Sequence, residues 1–443
     1  MRKTANFIFI FLVLNATAQP NWEEIKSNVS FDVPDPSYGS PHMQSNAVPG
    51  WEDGLFMTRD GKQLFSTYLP VDAFSWLNDL VLDPVCFDFH PYYRPPLLGV
   101  DTITNIFGCE KYMHSDIIMT SRESVISDFD PWNSSNMQES FSFDGGVQGV
   151  LANEDSFDLF VFTRDGIETS STDIFFMRDV SRNPTNETAV PLFVTEGQED
   201  NPHIERLNDS ALVILFDRDR YMYYALSNDN GESWEEEVLI PTVLNDQAPY
   251  DVQPHLWHDG VDWWVYYCAD NEDGVRSIYR SKQMSPGNWG DWEEPELVLS
   301  PNVIIDDYGY VYGVGEPSLS EWGDLSFVVV YGNHELPDTT DVYDCDPWIM
   351  PKIDSPLSNL REVKENPLAV KIFPNPTEDW VRIELEGHFH AENEICIYNA
   401  QGQICKRILT TESSISFEVQ DLDAGVYYIQ IKGVPDKFRL MVR

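Results

Sequence analysis

Three stretches of the chain align without a gap: NPHIERLNDSALVILFD from Asn201, QPHLWHDGVDWWVYYCA from Gln253 and EPSLSEWGDLSFVVVYG from Glu316. Each has Pro second, a polar turn near the middle and a shared valine (Val213, Val265, Val328) eleven residues after the Pro. That spacing predicts a strand, a tight hairpin and a second strand. Another apolar run follows each copy: YMYYALS from Tyr221, SIYRS from Ser277 and DPWIM from Asp346. Two earlier segments, GLFMTRDGKQLFSTY from Gly54 and GVQGVLANEDSFDLFVF from Gly146, lead in the same way to DIIMTSR from Asp116 and DIFFMRD from Asp173. Five copies result, with hairpin turns expected near Asp60, Asp155, Asp209, Asp259 and Gly323. Units of about four strands repeated every ~50–65 residues predict a β-propeller, whose radial closure protects strand edges. The expected class is therefore all-β: a five-bladed propeller over residues 19–352, with an inserted loop at about 69–114. No long stretch has helical periodicity, which argues against parallel sheets with crossover helices.

The chain of 443 residues is 42% hydrophobic, enough for a sizeable core. With 28 basic against 74 acidic residues it carries a formal charge of −46. Such a surface repels phosphate, so nucleic acid and anionic lipid are disfavoured as partners. The first residues combine a basic start (MRK), the apolar run FIFIFLVL and small residues at Ala16 and Ala18. This is the pattern of a signal peptide cut after Ala18, and its apolar run is too short to span a bilayer. Six cysteines in a chain this long are no disulfide scaffold, although Cys86 and Cys109 bracket one irregular loop and form the candidate pair.

From residue 370 the sequence alternates apolar and polar positions between Pro, Asn and Gly punctuation, which predicts a small antiparallel sandwich of its own. Residues 353–369 are aperiodic and carry Pro and Ser, as a linker does. Four landmarks occur in order: Phe373-Pro374-Asn375-Pro376, the Asn399–Gln403 hairpin, Leu422–Tyr427 and a basic-apolar last strand. Together they resemble the Ig-like C-terminal sorting domain of the type IX secretion system of Bacteroidota. The resemblance covers residues 370–443 and implies an address, read by the type IX machinery at the outer membrane after export, then removed or exchanged for a surface anchor.

The octapeptide SNDNGESW supplies Ser227, Asp229, Gly231, Ser233 and Trp234 at the spacing of the Asp box in sialidase-like propellers. That resemblance implies an architectural turn in which Asp accepts backbone N–H bonds, Gly takes a positive φ and Trp covers an apolar edge. The remaining repeats, with Thr58-Arg59-Asp60-Gly61 and the DIIMTSR and DIFFMRD runs, are similar to TolB-type propellers.

In a propeller the starts of the innermost strands face a shared channel, and here they are rich in carboxylates. Glu316 and its candidate partners Asp251 and Asp200 form the proposed catalytic set, because glycoside hydrolysis needs one protonated and one ionised carboxyl. Glu316 resembles the general acid of five-bladed arabinanase- and xylosidase-like glycosidases, except that Pro follows it directly. His203, His255 and Glu52 at strand starts, with Trp76, Tyr92 and Tyr93 of the inserted loop, are the candidate ligand contacts. Asp338, Asp341, Asp344 and Asp346 lie close together in sequence, as calcium ligands would. A sialidase would need three arginines around a substrate carboxylate, and no such triad can be assembled from motif context. The expected function is a secreted or surface-attached glycan-binding module. A glycosidase using channel carboxylates is the alternative, and an envelope scaffold the third reading.

Overall fold

The computed structural model describes residues 22–443 except 49, 70–84, 87–111, 114–115, 138–143, 166–171, 242–243, 245–251, 304–308, 334–341, 358–368 and short stretches near the C-terminus (378, 387–392, 400–403, 411–413, 421, 423 and 432–436). It is nearly all β-structure and divides into two compact units, residues 1–352 and 353–443.

Among the described residues, the first unit contains five antiparallel groups of four strands. In pairing order they are Trp51–Met57, Gln63–Leu69, Asp116–Ser121 and Asn133–Ser134; then Asp144–Asn153, Ser156–Asp165, Thr172–Ser181 and Val190–Phe193. Glu199–Arg206, Leu212–Arg218, Tyr221–Ser227 and Val238–Leu239 make the third group, and His255–His258, Trp263–Asp270, Arg276–Lys282 and Glu296–Pro301 the fourth. The fifth is Gly309–Leu319, Leu325–Asn333 and Val342–Met350, with an outermost strand, His42–Met43, supplied from the beginning of the chain. The first strand of each group contacts the first strand of the next, and that of the fifth contacts that of the first, so the contacts close into a ring.

The second strands explain the long apolar runs of the repeat. Gln63–Leu69 is buried at every position, and Leu212–Arg218 at all but its last. Both faces of such a strand meet a neighbouring group, so the usual in–out alternation gives way to a continuous run. Phe56 and Phe65 of the first group pack with Phe157 and Phe160 of the second. Val161 and Ile174 of the second pack with Ile214 and Phe216 of the third, and Val213 and Leu215 of the third with Leu256 and Tyr267 of the fourth. Each fully buried aromatic or branched side chain is worth about 1.5–3 kcal/mol, so these interfaces hold the groups together.

Residues 22–44 fasten the ring. Phe31–Asp32 extends the fourth group beyond Glu296–Pro301, and Gly39 N and Gln44 N donate to Pro351 O (2.8 Å) and Pro347 O (2.9 Å) of the fifth. From the helix Trp22–Ser27, the Lys26 ammonium reaches Asp344 at 2.8 Å and Asp346 at 2.6 Å. Three candidate site residues, Asp344, Asp346 and Glu52, lie at this seam. Asp344 and Asp346 bind a lysine, while Asp338 and Asp341 lie outside the described residues; among the described residues no group of three or more His, Cys, Asp or Glu is placed to hold a metal ion. Glu52 is not a ligand contact: it is fully buried at the same seam, where Val48 N donates to its Oε1 at 2.8 Å. Burial, with the nearby Asp346 charge, pushes its carboxyl well above the usual range.

The octapeptide forms the turn between the third and fourth strands of the third group. Asp229 accepts from Ser233 N (2.9 Å) and from the Ser227 and Ser233 hydroxyls, which hold its carboxyl down to about 2. Gly231 has φ +77°, and Trp234 packs edge-on against Phe176 and Phe193 of the second group. The turn therefore welds two neighbouring groups.

In the second unit, a three-stranded sheet (Ala369–Phe373, Trp380–Glu386, Ser414–Glu418) and a four-stranded sheet (Ile404–Thr410, Asn393–Tyr398, Gly425–Ile431, Lys437–Val442) enclose one core that includes Val381, Ile383, Ile395, Ile429 and Leu440. The side chains of Cys86 and Cys109 lie outside the described residues.

The seam predicts a pH dependence. Folded Glu52 keeps a proton that an unfolded carboxyl releases near pH 4.5, so its stabilising contribution is whole below that pH and is lost as pH rises through the folded value. Glu52→Gln should flatten the fall in melting temperature between pH 5 and 8, gaining a few degrees at the alkaline end. An unchanged melting curve at every pH would contradict this placement.

Candidate functional site

At the start of each group one residue takes the left-handed backbone region, within the first strand for Gly54 (φ +55°), Gly146 (+53°), Asn201 (+48°) and Glu316 (+54°) and two residues before it for Gln253 (+47°). Four of these sites coincide with register shifts in the ladder, between Asp53 and Phe56, beside Gly145, between Asp200 and His203, and between Gly315 and Ser318. The five residues, each with the two that follow it, line one shared cavity of about 30 Å³. That volume admits a water-sized group and no sugar ring, so any larger ligand has to sit above it, at the mouth.

Two layers are distinguishable. The lower one contains His203 and His255, 1% and 4% exposed, with ring centroids 4.1 Å apart and nearly perpendicular. Leu319 N donates to His255 Nε2 at 3.0 Å, and His203 Nε2 lies 3.2 Å from Glu205 Oε1. Arg59, from the hairpin of the first group, reaches Glu205 and donates to the Leu256 carbonyl at 2.8 Å, spanning the first, third and fourth groups. Burial lowers both imidazoles, which favours their neutral forms.

The upper layer holds Asp53, Asp200, Asn201, Gln253 and Glu316, all half-buried. Burial pushes the Glu316 carboxyl well above the usual range; the charges of Asp53 and Asp200 push it further, while Arg276 opposes them. Its surroundings thus favour the protonated form of Glu316, next to carboxylates from the first and third groups. Asp217, 1% exposed at the end of a second strand, organises the neighbourhood. It accepts from Val252 N (3.2 Å), Gln253 N (3.0 Å) and Asn201 Nδ2 (2.9 Å). Gln253 donates to Glu316 Oε1, and Trp51 Nε1 donates to Asp53 Oδ2 at 3.0 Å.

The structure therefore brings Glu316 and Asp200 together and sets His203 and His255 beneath them. Asp251, Trp76, Tyr92 and Tyr93 lie outside the described residues. Asp217 and Arg276 are the site members that sequence reasoning missed. Asp217 had a visible signal: it ends an apolar run at the place where the aligned repeats have Ala269 and Gly332.

Residues 371–438 match the family described as the Secretion system C-terminal sorting domain. The tail is an export address. The chain is exported to the cell surface or secreted, and no helix among the described residues is long and apolar enough to cross a membrane. No curated protein sequence matches the chain. Among solved structures, the catalytic domain of a GH62 α-L-arabinofuranosidase from Coprinopsis cinerea is similar at 10% identity and TM-score 0.42, over 74% of this chain and 98% of that one. The α-L-arabinofuranosidase PaAbf62A of Podospora anserina, solved with cellotriose, is similar at 8% identity and TM-score 0.40, over 69% and 92%. PorZ, described as a bacterial surface component of the type IX secretion system of Porphyromonas gingivalis, is similar at 10% identity and TM-score 0.30, over 88% and 59%. Likeness at this level says nothing about chemistry, which rests on the residues of this chain.

Two expectations follow. Gly54→Ala should destabilise the first unit by about 1–3 kcal/mol in urea denaturation, since its Cβ would lie 2.5 Å from Thr67 Oγ1 at a positive φ. Gly260→Ala, with nothing within 4 Å, should cost less; equal costs would contradict the tight ring. Removal of residues 370–443 should leave the protein in the periplasm of a host with the matching export system, and normal surface delivery would overturn the role of the tail.

Proposed function

We propose that the chain is an exported glycoside hydrolase. In this reading residues 1–18 are the leader, the five groups are the blades of a propeller, residues 353–369 are a linker and the Ig-like tail from residue 370 is read by the type IX machinery. Glu316 is the general acid, and Asp53 and Asp200 are the ionised partners, one of which serves as base or nucleophile. The observation that carries the proposal is a partly buried glutamate at the cavity, its carboxyl pushed upward by burial and by two carboxylates contributed by distant segments.

The chemistry follows from that asymmetry. A protonated Glu316 can deliver its proton to the glycosidic oxygen as the bond to the anomeric carbon breaks, while a carboxylate activates water or attacks the opposite face. Negative charge at the mouth also stabilises the positive charge that develops on the sugar ring. The same charge repels anionic sugars, so the substrate class is a neutral glycan rather than a sialoside or uronide. The 30 Å³ cavity below is too small for the sugar, which is held at the mouth.

Glu316→Gln preserves size and removes the proton. It should lower turnover of unactivated polysaccharide linkages by about 10²–10⁴-fold, with a smaller effect on aryl glycosides whose leaving groups need less protonation. Wild-type kcat/KM should fall as pH rises through the raised Glu316 value, because the acid must be protonated to act, and that alkaline limb should vanish in the variant. Equal inertness of wild type and variant on neutral glycosides would retire the hydrolase. Binding on a glycan array that survives Glu316→Gln would then favour a binding module, and absence of both would leave a scaffold.

A further inference from the structure

The two ends of the Gln253 amide meet different kinds of partner. Its Oε1 faces Glu316 N at 3.2 Å and Arg276 Nη2 at 3.2 Å, both of which can only donate. The orientation of the amide is therefore fixed by its surroundings, and the Nε2 end must point the other way, at Glu316 Oε1. The backbone beneath is held as firmly, by Asp217 through Gln253 N and Val252 N. An amide N–H pressed on one carboxyl oxygen makes that oxygen an acceptor and excludes a proton from it.

We propose that Gln253 is a positioning residue which, locked in orientation by Arg276, reserves Glu316 Oε1 as an acceptor and so places the acid's proton on Oε2. The inference deepens, and rests on, the reading of Glu316 as the acid. It gives a reason for a glutamine at a backbone position that disfavours it: Gln253 sits at φ +47°, where the equivalent residues of the first two groups are glycines. It also assigns Arg276 a task other than binding an anionic substrate. The charged groups around Glu316 are Asp53 from the first group, Asp200 and Asp217 from the third and Arg276 from the fourth, with the Cys268 thiol close by. None of these carboxylates can donate a hydrogen bond to Oε1 when ionised, so the amide is the group that distinguishes the two oxygens.

The direct reading is isotope-edited infrared difference spectroscopy on the full chain with carboxyl-labelled glutamate. The Glu316 carbonyl band is identified by its loss in Glu316→Gln. In Gln253→Met, which removes the amide, and in Gln253→Asn, which shortens it but suits the left-handed backbone as Asn201 does, that band should move to higher frequency as the carbonyl loses its donor. The deprotonation midpoint of Glu316 should rise by about one to two pH units, the scale of one hydrogen bond to a charged group. An unmoved band and midpoint in both variants would overturn the proposal, as would the absence of any neutral Glu316 band near pH 7 in the wild type. Turnover plays no part in the reading. If the band shifts as described and no glycoside is cleaved, the hydrolase fails and the clamp stands; if glycosides are cleaved while the spectra stay unmoved, the clamp fails and the hydrolase stands.

Discussion

A strand that runs beside a common axis has to turn its leading edge inward, and one left-handed residue in or just before the first strand makes that turn in all five groups. Gly54 and Gly146 accept the conformation freely, whereas Asn201, Gln253 and Glu316 hold it at a cost of about 1–3 kcal/mol each. The compensation is local and polar. Asp217 ties the third group to the backbone of the fourth, and Gln253 ties the fourth to the backbone and carboxyl of the fifth. Strain and site thus coincide: the residues that close the ring are the residues that face its mouth.

Charge is distributed to match. A chain at −46 has few cations, and the first unit places some of them inside. Lys26 serves Asp344 and Asp346 at the seam, Arg59 serves Glu205 below the axis, and Arg276 faces Gln253 at the mouth. Burial and neighbouring carboxylates push the Glu52 and Glu316 carboxyls upward, yet their situations differ. Glu52 is sealed and adds pH sensitivity to stability; Glu316 is partly exposed and lines the cavity.

The strand plan was legible in the sequence because its signals are local. Each hairpin turn carries Asp or Gly, each second strand is rich in apolar residues, and the aligned segments begin at the very residues that the ring makes equivalent. Less could be read where one strand's neighbours come from far away. The outer strand of the fifth group is the pair His42–Met43, too short to have a period, and the partner of Asp344 and Asp346 is more than 300 residues distant in sequence. A cluster of acids near a loop looks like a calcium site until the lysine is seen.

The claim beneath the rest is that Asp53, Asp200 and Glu316, drawn from three different groups, meet around one axis. It is tested most directly by titrating labelled Glu316 in the intact chain with Asp53 or Asp200 replaced by asparagine, one at a time. Each replacement removes a neighbouring negative charge, so each should lower the Glu316 midpoint, and both together should lower it further. A midpoint indifferent to Asp200, 116 residues away in sequence, would mean that these segments do not converge.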